Sequence, residues 1–221
     1  MKLIGLSPDE IETYFAEQTP HSKEALDLMV TRLVAYRRAV TNYQGMALCA
    51  LARQYNQEGS NILEIGTAYG HSAFMIANGA PKARIITLNQ PDKTWEIDAA
   101  RRQLMMYKNV TVVGKSSWDY LERYVGPPLE MIFVDGDHKR IVKDLPWWNW
   151  VKVGGLFVHH DYSPAESHRP CPPVYEALND FGAFLGREPD VLIVDNLKVG
   201  LAGWYKREDD KQWQPIAQPQ S

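Results

Sequence analysis

Hydrophobic positions along the chain change their spacing at about residue 60. Before that point, apolar residues recur with a period near 3.6, which predicts amphipathic helices. One such apolar face consists of Leu26, Met29, Val30, Leu33 and Val34. Further helices are predicted to begin near Ser7, where a capping serine precedes a proline, and near Gln44. The first quarter of the chain is therefore predicted to be helical.

After residue 60, short apolar or β-branched runs alternate with segments of helical spacing. The predicted strands are Asn61–Ile65, Arg84–Leu88, Val110–Val113, Met131–Val134 and Gly155–His160. The predicted helices that follow them are His71–Asn78, Trp95–Tyr107, Ser117–Tyr124, His138–Val151 and Pro172–Leu185. Strands that alternate with helices are typical of βαβ units. The pattern therefore predicts an α/β fold with a Rossmann-like, doubly wound and mostly parallel sheet.

The last two strand-like runs have a different connection. Val191–Asp195 and Val199–Lys206 are separated only by Asn196-Leu197-Lys198. A link of this length cannot hold a crossover helix, so the two strands must run antiparallel. The sheet is therefore predicted to end in a C-terminal antiparallel hairpin.

A chain of 221 residues suits one domain with a full hydrophobic core. We expect this domain to span residues 1–207, with a helical N-terminal cap over 1–58 and a Rossmann-like core over 59–207. The segment 208–221 is polar and rich in glutamine and proline. It is expected to be a flexible tail.

Charge and composition bear on whether the protein binds nucleic acids or membranes and on its cellular compartment. The formal net charge is −3 and the sequence has no basic run, so nothing indicates a nucleic-acid partner. No apolar run reaches transmembrane length, and the first residues do not resemble a secretory signal. Two widely separated cysteines suit a reducing compartment. We expect a cytoplasmic protein with no membrane partner.

The loop after the first predicted strand reads Gly66-Thr67-Ala68-Tyr69-Gly70, with Glu64 two positions before it. Ligands of open α/β sheets bind outside the carboxyl ends of the strands. Glycine is needed where the backbone turns sharply or approaches a ligand closely. The helix that begins near His71 directs its free N–H groups at the loop, which suits a carboxylate or phosphate.

Two other predicted strands end in charged side chains. One run continues into Asp135-Gly136-Asp137-His138, and the next ends in His159-His160-Asp161. Because adjacent parallel strands end at the same sheet edge, five side chains are predicted to meet at one site: Asp135, Asp137, His138, His160 and Asp161. Clustered carboxylates repel one another unless a cation balances them, and carboxylate oxygens suit Mg²⁺. The structural alternative is that Asp135 only hydrogen-bonds the loop and that the histidines cap a strand end.

Taken in this order, the motifs resemble those of class I S-adenosylmethionine-dependent methyltransferases. The pattern Glu-x-Gly-x-x-x-Gly after a first strand is similar to their cofactor loop. From Gln44 to Lys206 the chain looks most like small O-methyltransferases related to catechol O-methyltransferase, and like bacterial methyltransferases with an Asp-Gly-Asp-His motif. The segment Thr41–Gly45 lies where these families place a backbone contact to the cofactor.

The resemblance implies a set of residues that bind S-adenosyl-L-methionine. These are Glu64, Gly66, Gly70, Ser72, Asn89, Ser116, Ser117, Trp118 and Asp135. Gly66 and Gly70 would let the chain pass under the methionine part, and Ser72 would bind its carboxylate. Asn89 stands where the family has an acidic residue for both ribose hydroxyls, so the neighbouring Asp92 is an alternative ligand.

The resemblance also implies a divalent metal at Asp135 and Asp161. Tyr162 stands where the family usually has an amide as the third ligand. Asp137 and His160 are therefore candidates to replace that ligand. The metal would act as a Lewis acid and as a template for the substrate hydroxyls.

The expected activity is transfer of a methyl group to a hydroxyl of a small molecule, with Asp135, His138 and His160 as the catalytic residues. Without a metal, His138 or His160 would act as general base. One alternative is a metal-dependent oxygenase that uses His138, His160 and Asp161 as a 2-His-1-carboxylate set. Another is a non-catalytic cofactor-binding protein, suggested by Asn89. The N-terminal helices are expected to cover the active site or to form a homodimer contact.

Overall fold

The computed structural model describes residues 40–194 and 199–214. The predicted helices before residue 40, the link between the last two strands and the end of the tail lie outside this part. The described helices are α1 (Asn42–Arg53), α2 (His71–Gly79), α3 (Thr94–Gln103), α4 (Ser117–Leu121) and α5 (Pro172–Leu185). The described strands are β1 (Asn61–Ile65), β2 (Arg84–Asn89), β3 (Val110–Gly114), β4 (Leu129–Val134), β5 (Val151–His159), β6 (Val191–Val194) and β7 (Gly200–Tyr205).

The described strands form one seven-stranded sheet in the order β3-β2-β1-β4-β5-β7-β6. The pairs among β1 to β5 are parallel, whereas β7 is antiparallel to both β5 and β6. The predicted α/β architecture and its closing antiparallel hairpin are therefore confirmed. Parallel pairing brings the carboxyl ends of neighbouring strands together, since Ile65 pairs with both Leu88 and Val134, and Val134 pairs with His159.

Both faces of the sheet are covered by apolar side chains. On one face, Leu48 of α1 and Met75 of α2 pack over strand residues such as Val158. On the other face, Phe181 of α5 and two tryptophans of the β4–β5 connection pack over Phe157. Alternation along β5 therefore directs His160 toward the α1 face and His159 toward the α5 face.

The connection between β4 and β5 differs from its prediction. Residues 138–151 were predicted as one helix, but they form two 3₁₀ helices, His138–Lys143 and Leu145–Trp150, and β5 begins at Val151. Arg140 leaves helical geometry at φ −122°, and Pro146 removes a backbone donor near the start of the second helix. Trp147 and Trp148 of the second 3₁₀ helix are fully buried and pack against the sheet.

The chain after Arg207 also differs from its prediction. Trp213 is only 4% exposed and packs on Phe181 and Phe184. Its backbone N–H donates to Asn149 Oδ1 at 2.7 Å, and its carbonyl accepts from Asn149 Nδ2 at 3.0 Å. Residues 208–214 are therefore anchored to the core, since the burial of a large indole outweighs the polar composition around it.

Over the described residues, we find no helix with the length and apolarity needed to cross a bilayer.

Candidate active site

The glycine loop is held between the ends of β2 and β4. The N–H groups of Gly66 and Thr67 both donate to the Leu88 carbonyl, at 2.9 and 3.0 Å. The Asp135 N–H donates to the Ile65 carbonyl at 2.7 Å. Gly66 has φ +103°, and a Cβ there would overlap the Asp135 carbonyl oxygen. Gly66 is therefore required by the close approach of two strand ends.

Glu64 supports this loop from below. Its carboxylate is fully buried and accepts a hydrogen bond from the Thr87 hydroxyl, which also lies 2.5 Å from the Thr67 hydroxyl. Burial raises the pKa of Glu64 to about 7, against the opposing effect of hydrogen bonds from Ser72 and Thr87. The chain Glu64–Thr87–Thr67 thus ties the glycine loop to β2.

A cleft of about 310 Å³ opens beside the loop at the carboxyl edge of the sheet. Six of the predicted cofactor-binding residues line it: Gly66, Asn89, Ser116, Ser117, Trp118 and Asp135. The other three do not line the cleft: Glu64 lies under the loop, Gly70 ends it, and Ser72 lies in the first turn of α2. Gly70 has φ +85° and is the N-cap of α2.

The β3–α4 segment forms the far wall of the cleft. Ser116 caps α4, since its hydroxyl accepts from the Asp119 N–H at 3.2 Å and donates to the Asp119 carboxylate at 2.5 Å. Ser117 donates to the buried Asp144. The cationic groups of Arg140 and Lys143 lie 5.6 and 4.9 Å from the Trp118 ring centroid. Ser116 therefore both caps α4 and lines the cleft.

Next to the cleft, two carboxylates and two imidazoles form one compact cluster. Asp161 Oδ2 lies 2.9 Å from His138 Nε2 and 3.0 Å from His160 Nδ1. Asp135 Oδ1 lies 3.3 Å from His160 Nδ1 and 3.7 Å from His138 Nε2. Of the five side chains predicted to meet, these four lie together and Asp137 does not. We call these four the Asp–His cluster.

Electrostatics in the Asp–His cluster favour two negative and two positive charges. Burial would raise the pKa of Asp135, but the charge of His160 and hydrogen bonds from His138 and His160 hold it below its ordinary value. Hydrogen bonds to Asp135 and Asp161 raise the pKa of His138 to about 10. Burial alone would lower the pKa of His160, yet Asp135 and Asp161 raise it to about 10. Each carboxylate is thus balanced by an imidazolium.

Three neighbouring residues do not join the Asp–His cluster. Asp137 lies 3.6 Å from Arg140 and caps the following 3₁₀ helix through the Lys139 N–H. The Tyr162 hydroxyl donates to Asn179 Oδ1 at 2.8 Å, toward α5. His159 is fully buried on the α5 face, where burial lowers its pKa to about 3. Asp137 and Tyr162 are therefore not placed to complete a ligand set with Asp135 and Asp161.

Comparison with known proteins agrees with this geometry. Residues 63–162 match the model of a methyltransferase domain family. A catechol O-methyltransferase from Mycobacterium tuberculosis is 34% identical over 183 residues, which cover 76% of this chain and 78% of that protein. The chain belongs to the S-adenosylmethionine-dependent O-methyltransferases. This membership confirms the predicted family and does not favour the oxygenase alternative.

Solved structures share the fold of this methyltransferase. A cofactor-bound protein from MTB has a TM-score of 0.67 and 24% identity, covering 93% of this chain and 100% of that chain. An O-methyltransferase from Bacillus cereus in complex with SAH has a TM-score of 0.64 and 20% identity, covering 89% and 100%. At this level of identity the likeness supports the Rossmann-like architecture.

Two residues at the site of this methyltransferase were not among those predicted to act there. Gln44 Oε1 lies 2.9 Å from His160 Nε2, and Gln44 Nε2 donates to the Val199 carbonyl at 3.2 Å. Glu96 of α3 lines the cleft and accepts from Asn89 Nδ2 at 3.0 Å. The segment Thr41–Gly45 forms the first turn of α1, not the approach to it, because Thr41 and Gln44 make a capping box. That capping pattern was the sequence signal for Gln44.

The buried Asp144 of this methyltransferase is expected to make stability depend on pH. Burial raises its pKa to about 7, above the ordinary value of 3.8. Its protonated form therefore contributes stability that is fully present below about pH 3.8 and is lost as the pH rises through 7. Asp144→Asn keeps an acceptor for Ser117 and removes this titration. Urea unfolding measures the free energy of unfolding of both proteins. We expect the value for wild type to fall relative to that for Asp144→Asn between about pH 4 and pH 7, by up to about 1.4 kcal/mol per pH unit.

The exposed Asp98, which pairs with Arg101 on the surface, provides the control. The change with pH for Asp144→Asn should exceed the change for Asp98→Asn, which controls for the removal of one carboxylate. A difference between wild type and Asp144→Asn that does not vary with pH would show that Asp144 is ionised throughout.

Proposed function

We propose that this methyltransferase binds S-adenosylmethionine in the cleft and methylates a hydroxyl of a small molecule at the Asp–His cluster, a reaction of class EC 2.1.1. The observation that carries the proposal is that Asp135 belongs to both places: it lines the cleft and contacts His160 in the cluster. A methyl donor in the cleft would therefore face an acceptor bound at the cluster.

The cleft offers suitable surroundings for each part of the cofactor. Gly66 and Ala68 of the glycine loop line the cleft, and the positive dipole end of α2, which begins directly after the loop, suits the carboxylate of the methionine end. The Trp118 ring and the serines of the β3–α4 segment lie at the other wall, where an adenine base can pack. Asn89 lies between these walls at the end of β2 and suits the ribose.

The donor set of the Asp–His cluster fits a divalent cation. Ligand atoms of Asp135, His138 and Asp161 all lie within 4.8 Å of one another. In an octahedral Mg²⁺ site, adjacent ligands at about 2.1 Å from the ion lie about 3 Å apart. His138 Nε2 and Asp161 Oδ2 lie 2.9 Å apart through a hydrogen bond, and a bound cation would take the place of the proton between them. Asp135 Oδ2 is buried and has no hydrogen-bond partner among the described residues. We therefore propose Asp135, His138 and Asp161 as the cation ligands, with a catechol-like acceptor that offers two adjacent hydroxyls.

The residues of the chain would act mainly by binding and orientation. A bound cation would supply Lewis acidity that lowers the pKa of an acceptor hydroxyl. His160, held by Gln44 on one side, fixes the positions of Asp135 and Asp161 on the other. Alignment of the acceptor oxygen with the methyl group contributes through a near-attack geometry. The raised pKa of His138 and of His160 does not favour either as a general base at neutral pH in the cation-free chain.

Titration calorimetry with S-adenosylhomocysteine, with and without Mg²⁺ or Mn²⁺, tests the cofactor part. We expect micromolar binding, and no heat up to millimolar ligand would contradict the proposed cleft. Transfer of labelled methyl groups to a panel of catechols and matched mono-hydroxyl phenols tests the acceptor. We expect turnover of catechols that chelator abolishes and added cation restores. Full activity in chelator would contradict the cation and leave the transferase assignment intact.

A further inference from the structure

The end of β2 in this enzyme presents an amide where the cleft needs an acceptor for hydroxyl groups. Asn89 is 8% exposed and lines the cleft. Its Nδ2 donates at 3.0 Å to Oε2 of Glu96, which lies seven positions further along the chain in the first turn of α3. Glu96 lines the same cleft and is half-buried. A carboxylate therefore reaches the end of β2 from the neighbouring helix.

The chemistry of a ribose decides what this arrangement can bind. A ribose presents two adjacent hydroxyls, and carboxylate oxygens are the strongest side-chain acceptors for such donors. Asp135 and Asp137, the other carboxylates on the cleft wall, contact His160 and Arg140, respectively. Glu96 contacts the end of β2, which β1 separates from the end of β4 where Asp135 and Asp137 lie. It is therefore the carboxylate best placed for a diol at that point.

The hydrogen bond between the two side chains also sets their orientation. Because Asn89 donates through Nδ2, its Oδ1 remains an acceptor, and Glu96 retains Oε1. We infer that Glu96 is the ribose-binding carboxylate of this methyltransferase, and that Asn89 orients it and accepts from the second hydroxyl. The exposed Asp92, which the sequence suggested, does not line the cleft. This inference rests on the proposed binding of S-adenosylmethionine in the cleft.

A purely structural role for Asn89 and Glu96 predicts a different change in ligand affinity when the carboxylate is moved from position 96 to position 89. If Asn89 and Glu96 only join β2 to α3, Asn89→Asp places two carboxylates together and weakens that connection. The exchange of carboxylate and amide in a double variant would then restore the stability of the fold and not the affinity for the ligand. If Glu96 binds the ribose, the cleft needs one carboxylate and one amide at this point. Asn89→Asp alone should then weaken binding through repulsion, although it introduces the carboxylate that a ribose prefers. The double variant Asn89→Asp/Glu96→Gln should recover most of the affinity.

The experiment is titration calorimetry of the full chain and its variants with S-adenosylhomocysteine at about pH 7.5. We expect Glu96→Gln to weaken binding roughly 10- to 100-fold, because it loses a hydrogen bond to a charged acceptor. The double variant should bind at least threefold more tightly than Glu96→Gln. The matched control is Asp92→Asn, the same loss of charge on the exposed β2–α3 loop, and its affinity should equal that of wild type.

The 2′-deoxy and 3′-deoxy counterparts of S-adenosylhomocysteine give a readout that a structural clamp would not change. For at least one of these two ligands, the affinities of Glu96→Gln and wild type should differ by no more than about threefold, because that ligand lacks the hydroxyl that donates to Glu96. Thermal unfolding without ligand checks that the variants are folded. The inference is overturned if Glu96→Gln loses less than fivefold in affinity for S-adenosylhomocysteine, or if the double variant does not recover affinity. It is also overturned if Glu96→Gln loses as much affinity for both deoxy ligands as for S-adenosylhomocysteine. If wild type itself fails to bind S-adenosylhomocysteine, the proposed function has failed instead.

Discussion

Asp161→Asn is expected to lower kcat/KM for methyl transfer by roughly 10²- to 10³-fold, the range typical for removal of one preorganised electrostatic contact at a reacting centre. The substitution keeps the shape of the side chain and removes the charge that faces both His138 and His160. Asp135 would then be left as the single carboxylate for two imidazoles and for a cation. Because Asp161 does not line the cleft, affinity for S-adenosylhomocysteine should stay within about twofold of wild type.

Asp98→Asn, the same change at an exposed aspartate of α3, is the matched control and should leave both quantities unchanged. Initial-rate kinetics and calorimetry on the same preparations separate the acceptor site from the cofactor site. Equal losses of cofactor affinity and turnover in Asp161→Asn would show that the Asp–His cluster is part of the cofactor site. Unchanged turnover would exclude Asp161 from the reaction.

Gly66→Ala is expected to cost the largest amount of stability among single substitutions at the site, more than about 3 kcal/mol in the free energy of unfolding. The new Cβ would overlap the Asp135 carbonyl oxygen, which is backbone and cannot turn away. Gly66 also has φ +103°, where side chains are strained. Either β1 and β4 must separate at their carboxyl ends, or the variant does not fold.

Gly59→Ala isolates the conformational part of this cost. Gly59 has φ +86°, and no atom of the described residues lies within 4 Å of the position that an alanine Cβ would take, so the left-handed backbone is the source of the cost there. We expect a loss of about 1–2 kcal/mol there. Urea and thermal unfolding of both variants give the comparison, with a shift in Tm of about 2–4 °C per kcal/mol for a chain of this size. Equal losses at the two positions would show that the ends of β1 and β4 separate without cost.

Much of the fold was predictable because it depends on local periodicity. The runs that end at Ile65 and Val134 have the length and composition of buried strands, and the short Asn196–Lys198 link permits only a hairpin. Parallel strands end at one edge of a sheet. The meeting of Asp135 with Asp161 therefore followed from the strand order alone.

The tertiary structure decided how these side chains are partnered. Gln44 reaches His160 across 116 residues, and Glu96 turns toward Asn89 from a different element. Local spacing cannot report such contacts, since they depend on how helices pack on the sheet. The Tyr162 hydroxyl points toward α5 because the residue follows a left-handed turn at Asp161, with φ +57°. The sequence by itself determined which elements meet and which charges share an edge, whereas distances and burial decided which carboxylate faces which partner.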